Sequence, residues 1–367
     1  MSDESQLQVR PKDENSCLSP SKVASGLIAR GRRDAAMLTA PVEAGDAEYN
    51  LCIAYYFGQG VPQDYVEAMK WCRKAADLGH AASQNDLGDA YANGKGVPQD
   101  KAEAAKWYRK AADQGHDEAQ NSLGLYYAHG IGVPQDYVEA MKWYSKAAHQ
   151  GDQYAQVRLA EAYRDGMGVS QDYAEAVKWC RKAADQGSDY ARWLLGDAYG
   201  NGRGVPQDYT EAVKWYRKAA DQGHGYAQNS LGFHYANGRG VPQDYAEAVK
   251  WFRKAADQGD AWAQDRVADA YHSGRGVPQD YTEAVKWFRK AADQGDAVAQ
   301  YNLGVFYANG LGIPRDYIQA HMWLNLAGVG GDADGIKNRD IIARKMTSEQ
   351  IAEAQRLARE WKPKASR

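Results

Sequence analysis

An internal period of 36 residues dominates this chain. The stretch GVPQDYTEAVKWYRKAADQG, from Gly204 to Gly223, returns from Gly240 as GVPQDYAEAVKWFRKAADQG. Such a period indicates copies that stack on their neighbours into one elongated unit, instead of the two or three domains that 367 residues would otherwise suggest. Eight tryptophans keep the same step and mark eight copies: Trp71, Trp107, Trp143, Trp179, Trp215, Trp251, Trp287 and Trp323.

The repeated stretch has the pattern of a capped amphipathic helix. Asp208 is a typical N-cap residue, and Glu211, three positions later, completes the sequence pattern of a capping box. Trp215 and Ala219 then fall on one apolar face at helical spacing. Gly223 is suited to the left-handed conformation that commonly ends a helix. This pattern predicts a helix with the same boundaries in every copy, which we call the second helix of the repeat.

A different helix pattern precedes it in each copy, and we call this the first helix. In AQYNLGVFYANGLG, Ala299, Leu303 and Tyr307 lie on one face, and Gly304 allows a neighbouring helix to approach closely. The Gly-x-Gly that follows turns the chain; it lacks a preceding strand and a third glycine, so it does not predict a dinucleotide-binding loop. We therefore predict an all-α fold, an α/α superhelical solenoid of helix–turn–helix repeats of 36 residues.

Three motifs recur together: Leu-Gly-x-x-Tyr in the first helix, Gly-x-Gly-Val-Pro-x-Asp in the loop, and Ala-x-x-Trp-x-x-x-Ala-Ala-x-x-Gly in the second helix. With these motifs the chain resembles the Sel-one-like repeat (SLR) family, which is related to tetratricopeptide repeats. The resemblance runs from about Gly45 to Gly331. It implies α/α superhelices that act as adaptors in multiprotein complexes, including bacterial signalling and host-interaction systems.

The repeat pattern divides the chain into four segments. We predict a disordered tail over 1–21, a degenerate N-terminal helical cap over 22–45, eight repeats over 46–331 and a C-terminal helical cap over 332–367. In the C-terminal segment, Thr347 and Gln350 have the spacing of a capping box. Four residues there are expected to cover the last repeat: Ile351, Ala354, Ala358 and Trp361.

The copies differ mainly in their first helices, at positions opposite the uniform face. Because the second helices hardly change, we interpret the variable face as a ligand groove, the inner wall of the solenoid. The first row of variable positions is Tyr49, Asn85, Asn121, Val157, Trp193, Asn229, Asp265 and Tyr301. The second row, four residues further on, is Ile53, Asp89, Leu125, Glu161, Asp197, Phe233, Asp269 and Val305.

The candidate binding residues are aromatic and acidic side chains of this face. Aromatic anchors dominate the energy of many interfaces, although packing between repeats is the alternative explanation for them. An acidic track would favour a basic or amphipathic peptide, with a solvated face as the alternative. The aromatic candidates are Trp193, Phe233, Tyr301 and Tyr126, and the acidic candidates are Asp89, Glu161, Asp197 and Asp269.

A basic edge is the remaining candidate surface. The same loop position is basic in four copies: Lys95, Arg203, Arg239 and Arg275. One interpretation is a site for phosphate or an acidic partner, and the alternative is a row of solvated loop residues. A net charge of −3 gives no reason to expect nucleic acid as a partner. No apolar run approaches the length of a membrane span, so no membrane insertion is expected.

The sequence contains no catalytic motif with supporting partners, and we expect neither an enzyme nor a cofactor. The predicted function is a scaffold that binds a protein or peptide; its oligomeric state does not follow from the sequence. The alternatives are a regulatory subunit of a bacterial envelope, secretion or signalling complex, a secreted effector, and a β-lactamase-like hydrolase. The last is disfavoured, because the SLR proteins labelled β-lactamases carry a cysteine pair in each repeat.

The cysteines and the N-terminus bear on the compartment. Cys17, Cys52, Cys72 and Cys180 show no disulfide-like or zinc-like spacing, and Cys72 and Cys180 are interpreted as small core residues. The polar N-terminus does not have the pattern of a secretory signal. We therefore expect a reduced, cytoplasmic protein, with export by a non-standard route as the alternative.

Overall fold

A computed structural model describes residues 44–364, and this part of the chain is built from helices without any strand. The all-α repeat fold predicted from the period is confirmed. Eighteen helices lie within these residues: α1 (Asp46–Phe57), α2 (Tyr65–Asp77), α3 (Ala81–Asn93), α4 (Lys101–Asp113), α5 (Asp117–His129), α6 (Tyr137–His149), α7 (Gln153–Asp165), α8 (Tyr173–Asp185), α9 (Asp189–Asn201), α10 (Tyr209–Ala220), α11 (Gly225–Asn237), α12 (Tyr245–Asp257), α13 (Ala261–Ser273), α14 (Tyr281–Asp293), α15 (Ala297–Asn309), α16 (Tyr317–Val329), α17 (Ala333–Ala343) and α18 (Ser348–Glu360).

The helices fall into two compact units. The first ends at Gln99 and contains α1 to α3, and the second begins at Asp100 and contains α4 to α18. Within each unit, every helix of a repeat packs against the helix before it and the helix after it. Odd-numbered helices up to α15 are first helices of their repeats, and even-numbered helices up to α16 are second helices.

Aspartate caps start the second helices, as the sequence predicts, but the capping box is incomplete. In α10, Asp208 Oδ1 accepts hydrogen bonds from the backbone N–H groups of Thr210 (2.9 Å) and Glu211 (3.0 Å). The Glu211 carboxylate accepts instead from Lys214 Nζ at 2.9 Å. A lysine three residues along the helix thus competes for the carboxylate that a capping box would direct back to the N-cap.

A glycine in the first helix makes room for a ring from the second helix. A Cβ atom at Gly196 of α9 would lie 2.5 Å from the ring of Tyr216, and one at Gly232 of α11 would lie 2.5 Å from the ring of Phe252. Real Cβ contacts are not that short, so glycine at this position sets how closely the two helices of a repeat approach. We call these two positions the glycine–ring pair.

In the first repeat, cysteines occupy both positions of the glycine–ring pair. Cys52 in α1 and Cys72 in α2 form a disulfide across a sequence separation of 20 residues. The expectation that Cys72 is a reduced core residue is therefore wrong, because the helix hairpin places it directly against Cys52. Cys180 takes the ring position in the fourth repeat as a free, buried thiol, which agrees with its interpretation as a small core residue.

Glutamines of the uniform face connect successive repeats. Gln228 Nε2 of α11 donates to the backbone carbonyl of Ala220 in the preceding repeat (3.2 Å), and its own Oε1 accepts from Gln258 Nε2 (2.8 Å). The same bond to the preceding repeat recurs at Gln120, Gln156, Gln264 and Gln300. In the fifth repeat Arg192 takes this position, and its Nε donates to the equivalent carbonyl of Ala184 at 3.2 Å. The buried carbonyl therefore keeps a side-chain donor even where the glutamine is replaced.

Helices α17 and α18 follow the last repeat and pack against α16. Thr347 and Gln350 form the reciprocal capping box predicted at the start of α18. Ala354 and Ala358 are buried, and the ring of Trp361 lies 6.2 Å from that of Trp323. The predicted tail over 1–21, and the N-terminal cap except for residues 44 and 45, lie outside the described residues. No helix between residues 44 and 364 has the length and apolar character needed to cross a membrane.

Candidate functional site

The first helices of successive repeats touch through their side chains. Tyr190 in α9 donates its hydroxyl hydrogen to Glu161 Oε1 in α7 at 2.7 Å. The ring of Trp193 in α9 lies 5.5 Å from that of Tyr226 in α11. The helices α7, α9 and α11 are therefore neighbours on one side of the second unit, and side chains from consecutive repeats form a continuous face.

The first row of variable residues lies largely at these helix-to-helix contacts. Val157 is 7% exposed and Asp265 is 1% exposed. Tyr301 is half-buried, and its hydroxyl oxygen accepts a hydrogen bond from Asn338 Nδ2 at 2.9 Å. Variation in this row thus reflects packing between neighbouring first helices as well as any contact with a partner.

Trp193 lies at the centre of an aromatic cluster. Its ring centroid is 5.5 Å from Tyr190, 5.7 Å from His224 and 5.5 Å from Tyr226. His224 Nδ1 accepts from the Ala227 N–H at 3.2 Å and so caps α11. Burial lowers the pKa of His224, which favours the neutral ring needed for that bond. Trp193 is half-buried here and supports the two tyrosines on either side of it.

The other two aromatic candidates differ in their access to solvent. Phe233 is half-buried, and its ring lies 5.3 Å from the Arg239 guanidinium. Tyr126 is only 2% exposed, because its ring packs edge-on against Tyr108 at 5.2 Å. Tyr108 belongs to the preceding repeat, so Tyr126 packs between two repeats, and we remove it from the candidate surface.

The acidic candidates do not form a uniform track of carboxylates open to solvent. In the second unit, Glu161 accepts from Arg158 Nη1 at 2.8 Å as well as from Tyr190. Burial raises the pKa of Asp197, although Arg203 and Arg164 oppose this shift. Asp269 is exposed, whereas Asp89, which belongs to the first unit, is half-buried. Asp269 is therefore the most accessible of the four carboxylates.

The basic edge packs against tyrosine rings. The guanidinium of Arg203 lies 6.0 Å from the ring of Tyr173, and Arg239 and Arg275 make the same contact with the first tyrosine of the preceding second helix at 5.7 and 5.8 Å. In the first unit, Lys95 Nζ lies 2.8 Å from the Tyr56 hydroxyl. These contacts hold a loop against the helix of the repeat before it, which favours a structural role for the basic edge.

A third row of variable residues, which the sequence analysis missed, is more exposed than the other two. Three positions before the first row, the fourth to seventh repeats carry aromatic residues, and Tyr226 and Trp262 are each 38% exposed. Their spacing of 36 residues is visible in the sequence, one helical turn before the rows that we compared. We call this row the aromatic stripe: Tyr154, Tyr190, Tyr226 and Trp262.

An arginine accompanies each end of the aromatic stripe. The Arg158 guanidinium lies 4.5 Å from the ring of Tyr154, and Arg266 lies 5.6 Å from the ring of Trp262. Each arginine also pairs with a carboxylate, Arg158 with Glu161 and Arg266 with Asp265. The stripe is thus aromatic and close to electrically neutral.

The described residues contain no group of three or more histidine, cysteine or acidic side chains placed to hold a metal ion.

Comparison with known proteins identifies the repeat. The model of the Sel1 repeat matches eight successive segments: 45–80, 81–116, 117–152, 153–188, 189–224, 225–260, 263–296 and 297–332. A Sel1 repeat protein from Oxalobacter formigenes, known from its crystal structure, is 34% identical, with a TM-score of 0.66 over 86% of this chain and 91% of that one. No curated protein matches the chain.

A second solved structure is a protective antigen present in uropathogenic Escherichia coli strains, which displays an SLR fold. It is 36% identical over 86% of this chain and 84% of that one, with a TM-score of 0.46. Eight matched repeats, together with the relative from Oxalobacter formigenes, show that the chain belongs to the Sel1-repeat family.

Proposed function

We propose that this protein is a non-catalytic scaffold that binds an extended peptide or protein segment along the first helices of its repeats. The observation that carries the proposal is the aromatic stripe, because Tyr226 and Trp262 present more than a third of their large side chains to solvent. Large apolar surface left exposed at consistent positions of a repeat typically marks an interaction site.

The remaining candidates take different parts in this proposal. Trp193 positions the rings of Tyr190 and Tyr226, and Phe233 lies about two helical turns beyond Tyr226 in α11. Asp269 is an acidic contact for a basic group of the partner. The secondary candidates are partly engaged within the protein: Tyr301, Glu161, Asp197 and Asp89.

Site-specific photo-crosslinking tests the proposal with a matched control. Tyr226 is replaced by p-benzoylphenylalanine in the full chain, which is then irradiated in cells of the native host. The control carries the same substitution at Tyr245, which is also 38% exposed but lies at the start of the second helix α12. We expect a defined crosslinked partner from position 226 and none from position 245.

The partner must also compete for the surface in a purified system. Once identified by mass spectrometry, it is expected to bind the wild-type chain and to lose about tenfold in affinity when Trp262 is changed to alanine, a typical effect for an aromatic anchor. Equal crosslinking from positions 226 and 245, or equal binding by the Trp262→Ala variant, contradicts the proposal.

The disulfide favours an oxidising compartment as the place of this activity. Disulfides persist in the periplasm and outside the cell and are rare in the cytosol. The Cys52–Cys72 bond thus supports the envelope, secretion or effector alternatives over the cytoplasmic expectation. Alkylation of thiols in acid-quenched intact cells tests this. Cys52 and Cys72 are expected to stay unlabelled. Labelling of both would show that they are reduced and would favour a cytoplasmic location.

A further inference from the structure

We propose that the contact between the third and fourth repeats is a hinge, the place where the second unit opens most readily. We call the contact between one repeat and the next a seam. In a repeat protein each copy contacts only its neighbours, so the weakest seam decides where the chain opens. The proposal goes beyond the proposed function and does not depend on it.

An arginine of the second helix binds the next repeat at the other seams. In α12, Arg253 Nη1 donates to the Tyr271 hydroxyl at 3.0 Å, and its guanidinium lies 5.2 Å from the Trp287 ring. It therefore holds both helices of the seventh repeat. We call the arginine–tyrosine hydrogen bond the arginine clasp. The described residues contain six of them: Arg73–Tyr91, Arg109–Tyr127, Arg181–Tyr199, Arg217–Tyr235, Arg253–Tyr271 and Arg289–Tyr307.

The seam between the third and fourth repeats differs from these six. Ser145 takes the arginine position in α6, and within residues 44–364 it makes no hydrogen bond to Tyr163, the equivalent tyrosine. The Ser145 carbonyl oxygen and hydroxyl instead lie 2.7 and 3.4 Å from His149 Nδ1 in the same helix. The His149 ring packs edge-on against Trp179 at 5.1 Å. Only the contact with the second helix of the fourth repeat is therefore replaced.

The loop that rests on this seam is also less restrained than its equivalents. A Cβ atom at Gly168 would lie 2.4 Å from the carbonyl oxygen of Tyr137, so the loop between α7 and α8 touches the start of α6. Ser170 in this loop stands where the other seven copies have proline, which leaves its backbone freer. Met167 stands at the position of the basic edge, so the loop lacks the contact of a cation with the tyrosine ring.

The seam between the sixth and seventh repeats is the matched reference, 108 residues further along the chain. It has the clasp of Arg253, the loop proline Pro278, and Arg275 at 5.8 Å from a tyrosine ring of the preceding repeat. Both seams keep the buried glutamine bond, through Gln156 and Gln264. The two seams thus share this bond and differ in the clasp and in the loop.

Hydrogen–deuterium exchange of the full chain, followed by mass spectrometry, tests the hinge. Opening of a seam exposes the backbone amides of the helices beside it, so their protection reports how often the seam opens. We expect the amides of 146–160 to be protected about tenfold less than those of 254–268, because a hydrogen bond from a charged group and a cation–ring contact are lost. Equal protection of the two segments rejects the inference.

Three variants assign the difference to the clasp. Ser145→Arg supplies the missing donor and is expected to raise the protection of 146–160 about tenfold. Ser145→Ala raises helix propensity without a clasp and is expected to change this protection less than about threefold. Arg253→Ser removes the clasp at the reference seam and is expected to lower the protection of 254–268 about tenfold.

The inference fails if Ser145→Arg leaves the protection of 146–160 unchanged. It also fails if Ser145→Ala raises this protection as much as Ser145→Arg does, because helix propensity then explains the gain. An unchanged reference segment in Arg253→Ser would likewise reject the clasp as the cause. None of these results bears on partner binding, which crosslinking from position 226 tests separately.

Discussion

At the scale of single residues, the glycine–ring pair shows how the copies solve one packing problem in different ways. Gly196 with Tyr216 uses a missing side chain and a ring, whereas Cys52 with Cys72 uses a covalent bond. The disulfide was predictable from the sequence once the copies were aligned, because both cysteines replace a paired position. It was missed because the spacing of cysteines along the chain does not reveal which positions face each other.

Substitution of Gly196 tests this packing. Alanine at Gly196 places its Cβ 2.5 Å from the Tyr216 ring, whereas at Gly200, one turn further along α9, the nearest atom is the Tyr216 hydroxyl oxygen at 3.5 Å. Both changes gain up to about 1 kcal/mol of helix propensity, but only the first overpacks the interior, at about 1–3 kcal/mol.

We therefore expect Gly196→Ala to be less stable than Gly200→Ala by about 1–3 kcal/mol, measured by urea denaturation. A further Tyr216→Leu change in the Gly196→Ala background is the control, because it should relieve the clash. Equal unfolding midpoints for the two alanine variants would show that the helices of the repeat shift apart without cost.

At the scale of elements, the start of each second helix was predictable, since an aspartate recurs at its N-cap in every copy. The first helices use different capping residues, such as His224 in α11 and Asp260 in α13. The hydrogen-bond partner of Glu211 was not predictable from the capping pattern, because its carboxylate binds the side chain of Lys214 instead of the N-cap backbone. The wheel of the first helix also had a limit. The wheel separates uniform from variable positions, but it does not separate a variable side chain buried against the next first helix from one that is exposed. Asp265 is an example of the first kind and Trp262 of the second.

The cap of α11 predicts a dependence of stability on pH. Burial lowers the pKa of His224 from its ordinary value of 6.5, so the unfolded chain binds this proton more readily than the folded chain does. The free energy of unfolding is thus expected to fall as the pH drops below about 6.5, by up to about 1.4 kcal/mol per unit of pKa difference. Nearby Asp189 opposes the shift without reversing it.

The variant His224→Asp isolates this contribution. Aspartate caps the corresponding helix α13 through Asp260, so the substitution preserves the cap without a group that titrates near pH 6. Urea midpoints measured between pH 7.5 and 5.5 should fall less in the variant than in the wild type. His234 and His321 also have lowered pKa values and are present in both proteins. Parallel pH curves would assign the acid sensitivity to them.

At the scale of the whole molecule, the period alone was sufficient to predict the repeat architecture, since the aspartate cap and the tryptophan of the second helix recur in all eight copies and specify the same hairpin. The candidate site was only partly predictable. Trp193 and Phe233 lie near the exposed face, yet the aromatic stripe beside them was recognised only once exposure was known. Variation between copies occurs at buried positions such as Asp265 as well as at exposed ones such as Trp262, so exposure is needed to tell the two apart.

Removal of one entire copy tests the modularity of the second unit. Deletion of residues 225–260 leaves His224 to cap the helix that begins at Ala261, the role that Asp260 has in the intact chain. We expect the shortened protein to keep its helical content per residue, measured by circular dichroism, and to melt cooperatively. Deletion of half a copy, residues 225–242, is the control and is expected to aggregate. Aggregation of both proteins would contradict interchangeable copies.

The buried side-chain bond that joins a repeat to the one before it has a consequence for how such proteins diverge. Gln228 and Gln264 bind the same carbonyl of their preceding repeats, and Arg192 binds the equivalent carbonyl in the fifth repeat, so the acceptor at the seam is kept although the donor changes. Unequal recombination between gene segments that encode neighbouring copies therefore adds or removes a complete module without damaging any junction. Gain or loss of a whole hairpin and point mutation of the first helices are therefore two independent routes by which the protein can change.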